Sequence, residues 1–238
     1  MKSLLQVGDI DVEVVRKDIK NVHLSVHPPK GRVTVAAPAY MKLENIRLFV
    51  IAKVAWIREQ QKRLQLQDRE SSRVFLNRES HYVWGQRYLL KLVEVAAPPS
   101  IKLKHGKMIF QTRPGTDVIK KQEILDEWYR ELVREAVQAK IAKWEKKIGV
   151  AVNRVFVQKM KTKWGSCNPV AGNIRLNTDL AKKPPECLEY ILVHELLHLI
   201  ELSHNDKFIK LMEHVMPKWR SYRQLLISLP VRNESWVY

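Results

Sequence analysis

The spacing of apolar positions changes period several times along the chain, and each change marks an element. Residues 11–15, 22–26 and 32–35 alternate or cluster β-branched side chains around turn signals such as the His-Pro-Pro-Lys-Gly run at 27–31, which predicts three strands. From about Leu43 to Leu66 the period lengthens: Ile46, Phe49, Val50, Val54 and Ile57 recur at three- and four-residue spacing between Arg, Lys and Gln, the pattern of one amphipathic helix. A second β stretch follows, with strands predicted at 82–84, 88–95, 101–104 and 108–111 and turns at 84–86, 98–100 and 105–106. Near Asp117 the composition shifts, and Leu125, Trp128, Leu132, Ala136 and Ala139 predict the apolar face of a long charged helix ending about Gly149. Residues 153–159 and 173–177 read as strands about a turn at 169–172. Helices are predicted over 185 to about 202, 206–215 and 218–228. No internal repeat is visible. The pattern predicts an α+β fold, with a β-rich region carrying one helix over 1–116 and a second region over 117–238.

Composition narrows the classes. A chain of 238 residues that is 45% hydrophobic can bury a core, which excludes collagen, coiled coil and disorder. Lys and Arg number 42 against 25 Asp and Glu, a formal charge of +17 that favours acidic or polyanionic partners. No long uncharged apolar window exists and the first residues lack the apolar run of a signal peptide, so a soluble, cytoplasmic chain with no membrane partner is expected. Cys167 and Cys187 alone make a disulfide framework improbable and read as reduced, packed thiols.

The chemistry concentrates at His194-Glu195-Leu196-Leu197-His198. Residues four apart on a helix differ by about 40° and 6 Å, so both imidazoles can reach one ion, while Glu195 stands beside it, placed to deprotonate a metal-bound water. Chance would produce such a run in only about one or two of a hundred chains of this histidine content. Apolar residues surround the motif on all sides, the pattern of a buried helix, where unpaired imidazoles and a carboxylate would each cost on the order of 1–3 kcal/mol. A hydrogen-bonded cluster without metal is the bland alternative. Two candidates compete for the third ligand. Glu201 follows His194 by seven residues on a continued helix; His204 needs a turn. The S-x-x-D form of Ser203 to Asp206, ahead of the apolar-periodic Phe208, Ile209, Met212 and Val215, predicts a new helix from Ser203, and the turn it implies favours His204, with Glu213 a distant third.

The run Lys159-Met160-Lys161-Thr162-Lys163-Trp164-Gly165-Ser166-Cys167, the run Gly172 to Asn177, and Val193 through His198 with His204 resemble the signature of the YgjP-like zinc metallopeptidases, relatives of the SprT-like proteases. The resemblance spans nearly the whole chain and is weaker in the N-terminal β region. It implies a zincin-like catalytic region over 117–238, one zinc per chain held by His194, His198 and His204, Glu195 as general base, and a peptide or protein substrate hydrolysed by a zinc-bound water. The His194-to-His204 spacing is also that of the metzincin motif, but Glu201 stands where that motif has its turning glycine.

Other residues carry weaker readings. Trp164 reads as packing before substrate platform, and no role for Lys161, Lys163 or Ser166 follows from spacing. Residues 173–177 could hold an extended peptide by β-addition or be an internal strand. Cys167 could approach the metal as an inhibitory thiolate, though a packed thiol is the simpler reading. His214 reads as a surface or packing histidine; His23, His27, His81 and His105 show no metal spacing. The basic residues Arg58, Lys62, Lys140, Lys143, Lys146, Lys147, Lys159 and Lys163 are spread along the chain, which leaves non-specific nucleic-acid association as a second property. The rival classes are a nucleic-acid-binding protein with a structural zinc site and a DNA-stimulated protease.

Overall fold

A computed structural model describes residues 2–27, 31–66, 69–70, 73–160 and 163–232. The chain is mixed α+β and divides into two compact units, 1–71 with 230–238 and 72–229.

In the first unit, strands β1 (Lys2–Val7), β2 (Ile10–Lys17), β3 (His23–His27) and β4 (Arg32–Pro38) form one sheet in the order β1-β2-β4-β3. The outer pairs are antiparallel and the central β2–β4 pair is parallel. Alternate residues of β2 and β4 point inward, so Val12, Val14, Val33 and Val35 bury one face of the sheet. Helices α1 (Leu43–Ile51) and α2 (Val54–Leu66) complete this core with Ile46, Val50 and Ile57. The single helix expected over this stretch is broken at Ala52-Lys53, and its predicted apolar positions still face the core. β5 (Arg69–Glu70) pairs in parallel with β13 (Val231–Arg232).

The second unit begins with β6 (Ser80–Val83), β7 (Gln86–Glu94), β8 (Ser100–Lys104) and β9 (Lys107–Thr112), ordered β6-β7-β9-β8. Again the outer pairs are antiparallel and the centre is parallel. Although no repeat shows in the residues, the two sheets share one topology: two hairpins joined side by side, then a helical segment. Trp84 and Gly85 turn the first hairpin with φ of 49° and 78°, the pair of left-handed conformations that matches strand twist.

Helix α3 (Val118–Ile148) begins where Asp117 accepts a hydrogen bond from the Lys120 amide at 2.6 Å and ends at Gly149, whose φ of 78° is the left-handed stop. Its buried stripe is Leu125, Tyr129, Val133, Val137 and Trp144. Of the expected stripe, Leu125 is buried, Trp128, Leu132 and Ala136 pack partly buried against the same core and Ala139 is exposed; the fully buried positions step by four from Leu125 to Val137, and the Tyr129 hydroxyl donates to the Tyr82 carbonyl at 2.9 Å. The boundary expected at 116/117 therefore falls inside the second unit. Val83, Leu90, Met108 and Phe110 of the sheet share one core with α3, so the β stretch and the helix cannot be parted.

Strands β10 (Arg154–Gln158), β11 (Gly165–Asn168) and β12 (Asn173–Asn177) form a small sheet ordered β10-β12-β11. β12 is its centre, parallel to β10 and antiparallel to β11. A 3₁₀ turn (Thr178–Lys182) leads to α4 (Pro185–Leu197), α5 (Asp206–Val215) and α6 (Trp219–Ser228). The hairpin at Trp84-Gly85 is tied to this 3₁₀ turn by amide hydrogen bonds to the Ala181 and Lys182 carbonyls. No helix among the described residues is long and apolar enough to cross a membrane.

Candidate metal centre

Helix α4 is buried on nearly every side: Leu188, Leu192, Val193, Leu196 and Leu197 are wholly enclosed. It ends at Leu197, five residues before the expected stop, because the last turn tightens: the amides of Leu199 and Ile200 bond carbonyls only three residues back. Among the described residues no position from 198 to 204 has a positive φ, so the chain turns here without the glycine of the metzincin pattern. The next helix begins at Asp206 rather than Ser203. Asn205, not Ser203, is the cap, accepting from the Phe208 amide at 3.0 Å. Ser203 instead donates its hydroxyl to Glu201 at 3.1 Å.

This turn brings three imidazoles together. The Nε2 atoms of His194 and His198 are 3.2 Å apart, those of His198 and His204 3.2 Å, and those of His204 and His194 2.9 Å. The Phe208 ring, 3% exposed, lies against all three, with ring centroids 5.0, 4.7 and 4.9 Å away. His198 donates Nδ1–H to the Glu201 carbonyl at 2.9 Å, which leaves its Nε2 a bare lone pair aimed into the triangle. Burial, and then the neighbouring His198, His204 and Arg223, pull the His194 imidazole down to about 3; burial chiefly lowers His204 as well. Three imidazole Nε2 atoms converging in this way are a candidate metal-ligand set. Three nitrogens at about 2.0–2.1 Å from a tetrahedral zinc stand about 3.3 Å from one another, so the observed triangle fits the ion. Glu201 faces elsewhere: its carboxylate takes Ser203 and Lys207, and Glu213 pairs with Arg220.

Glu195 is 5% exposed in the same cleft, a space of about 460 Å³ that also includes Lys163, Trp164, Cys167 and Leu202. Burial pushes its carboxyl up to about 7, against the opposing pull of Lys163. A carboxyl poised there can both take and return a proton near neutral pH.

The wall of the cleft opposite α4 is β11, a strand that the sequence pattern does not reveal because only four residues pair. Buried Asn177 holds Met160 and Lys163 ahead of it. Its Nδ2 donates to the Met160 and Lys163 carbonyls at 2.9 and 2.8 Å, while its Oδ1 accepts from the Asp179 amide at 3.1 Å. Trp164 packs partly into the core with the Lys183 ammonium 5.7 Å over its ring, which agrees with a packing role, although its edge also reaches the cleft. Lys161 and Thr162 lie outside the described residues.

A family model, described as YgjP-like, metallopeptidase domain, matches residues 20–228. The chain belongs to the YgjP-like metallopeptidase family. Membership implies a metal and a peptide substrate, and the match spans both units. A solved structure entitled "Crystal structure of the metallopeptidase zymogen of Pyrococcus abyssi abylysin" aligns at 21% identity and a TM-score of 0.35, over 40% of this chain and 92% of that one. No curated protein matches the chain.

Within this YgjP-like chain several other expectations resolve. Residues 173–177 are the internal strand of their sheet, with both edges paired. Cys167 and Cys187 are free, burial pushes each thiol up to about 11, and Cys167 packs partly against the core at the border of the cleft. Several of these basic residues have local partners: Arg58 pairs with Asp9, Lys140 and Lys143 with Glu189, and Lys159 with Asp126, while Lys147 donates to the Val215 carbonyl. Phe208 and Gly165 were assigned no role at the site by sequence reasoning, and Asn177 was considered only as part of a possible substrate strand. Their signals were a core position, a motif glycine and a strand end.

Proposed function

We propose that this YgjP-like chain is a zinc peptidase of the HExxH type, with one zinc per chain held by His194, His198 and His204 and with Glu195 as general base. The observation that carries the reading is the triangle of Nε2 atoms, 2.9–3.2 Å on a side, opening into the cleft that holds a buried carboxylate. When bound there, zinc supplies Lewis acidity to the attacking water and the scissile carbonyl. Glu195 takes the proton from that water at a carboxylate oxygen, the oxygen adds to the carbonyl carbon, and the same proton passes to the leaving amine as the C–N bond breaks. The Glu201 carbonyl fixes the His198 tautomer, and Phe208 limits how the three rings can tilt. The free edge of β11 borders the cleft, so an extended substrate would add there by main-chain hydrogen bonds, the role considered for residues 173–177 moving to the neighbouring strand.

The test combines metal analysis with one substitution. Protein refilled with zinc should hold about one equivalent, and Glu195→Gln should keep that zinc while losing nearly all hydrolysis of a protein substrate. Absence of bound zinc, or a Glu195→Gln variant as fast as the parent, would overturn the assignment.

A further inference from the structure

Seven of the eight glycines lie at positive φ, in turns and at a helix stop. Gly165 is the exception. It sits in strand β11, opposite Leu176, in a backbone conformation open to any residue. Glycine weakens a strand and offers no side chain to pack, so its presence here needs another reason.

The reason is the approach of Glu195. A Cβ placed on Gly165 would stand 2.6 Å from Glu195 Oε1, 2.8 Å from Cγ and 2.9 Å from Cδ, all inside van der Waals contact. Rotating the carboxylate about its last torsion would relieve the oxygen but leave Cγ in collision. Only a change at χ1, or retreat of α4 from β11, makes room. Glu195 lies on a helix enclosed by Leu192, Val193, Leu196 and Leu197, so retreat would disturb a packed core.

We infer that Gly165 is a positioning residue for Glu195: by carrying no side chain it lets the edge strand close against the carboxylate and confines that carboxylate to the cleft. The inference rests on the proposed role of Glu195 for its catalytic consequence, but the steric coupling stands on geometry alone. One atom position thereby links the strand that would carry a substrate to the group that would move the proton.

A double-mutant cycle in chelator-treated protein reads the coupling without catalysis. Gly165→Ala should lower Tm by about 3 °C or more in the parent and by less than about 1 °C in a Glu195→Ala background, where the colliding atoms are gone. Equal shifts in both backgrounds would overturn the inference. If Gly165→Ala does not fold alone, Glu195→Ala should restore folding; failure to restore it would count equally against the idea. In zinc-loaded protein, Gly165→Ala should keep its metal and lose about tenfold or more in kcat, because a small displacement of a reacting group is costly. Full kcat in Gly165→Ala, with Glu195→Gln inactive, would remove Gly165 from the machinery while leaving the peptidase reading intact. Activity in Glu195→Gln would sink that reading and leave the stability cycle as the measure of Gly165.

Discussion

Asn177 offers the clearest link between fold and site, and replacing it by leucine should loosen the approach to β11 while keeping the same branching and number of side-chain heavy atoms. The native amide makes three hydrogen bonds of 2.8–3.1 Å, to Met160, Lys163 and Asp179, and a fourth, longer one of 3.5 Å from the Met160 amide, and is 5% exposed. Leucine would strand two carbonyls and one amide at about 1 kcal/mol each, a loss of about 3 kcal/mol. For a chain of this size that corresponds to about 6–12 °C in Tm. Asn205→Ala serves as the control, because it also removes an Asn cap, but at an exposed helix start worth about 1 kcal/mol. Urea unfolding gives the energies, and limited trypsin digestion reports on Lys159 and Lys163, which lie at or next to the two carbonyls that Asn177 holds. Asn177→Leu should be nicked there faster than the parent while its helix content stays the same. The reasoning fails if Asn177→Leu costs no more than Asn205→Ala and the digestion pattern does not change.

Two other outcomes follow from the same geometry. His204→Ala should weaken zinc far more than Glu201→Ala in a chelator competition, since Glu201 contributes its carbonyl to His198 and its carboxylate to Ser203 and Lys207; the reverse ranking would move the ligand. With its thiol pushed up to about 11, Cys167 in metal-free protein at pH 8 should have a thiolate fraction of about one in a thousand and alkylate roughly a hundredfold slower than an ordinary cysteine, so fast labelling would contradict its packed environment.

The proposed metal-binding pair was legible because helical periodicity alone brings residues 194 and 198 to one face, whatever the rest of the chain does. The buried character of that helix was legible for the same kind of reason: a run that is apolar on every side has nowhere else to go. The strands of both four-stranded sheets were nearly all readable from alternation. β1 was missed because a strand at the chain start has no preceding turn signal, and β11 because four residues carry too little pattern.

His204 marks where local rules stop. The sequence could bring it or Glu201 toward the ion, and only the tightened turn after Leu197, with Asn205 as the cap, groups His204 with the other two imidazoles. The domain boundary fails for a related reason: composition changes at Asp117, but burial is decided by which faces meet, and the β6–β9 sheet meets α3. Periodicity and side-chain chemistry are properties of neighbouring residues, so the sequence by itself determined the α+β class, the HExxH helix and the two imidazoles on it. The shared sheet topology, the Phe208 support, the Asn177 clamp and the fit of Gly165 against Glu195 join residues tens of positions apart. Only closure of the tertiary structure brings such atoms within contact distance, and so only it could decide them.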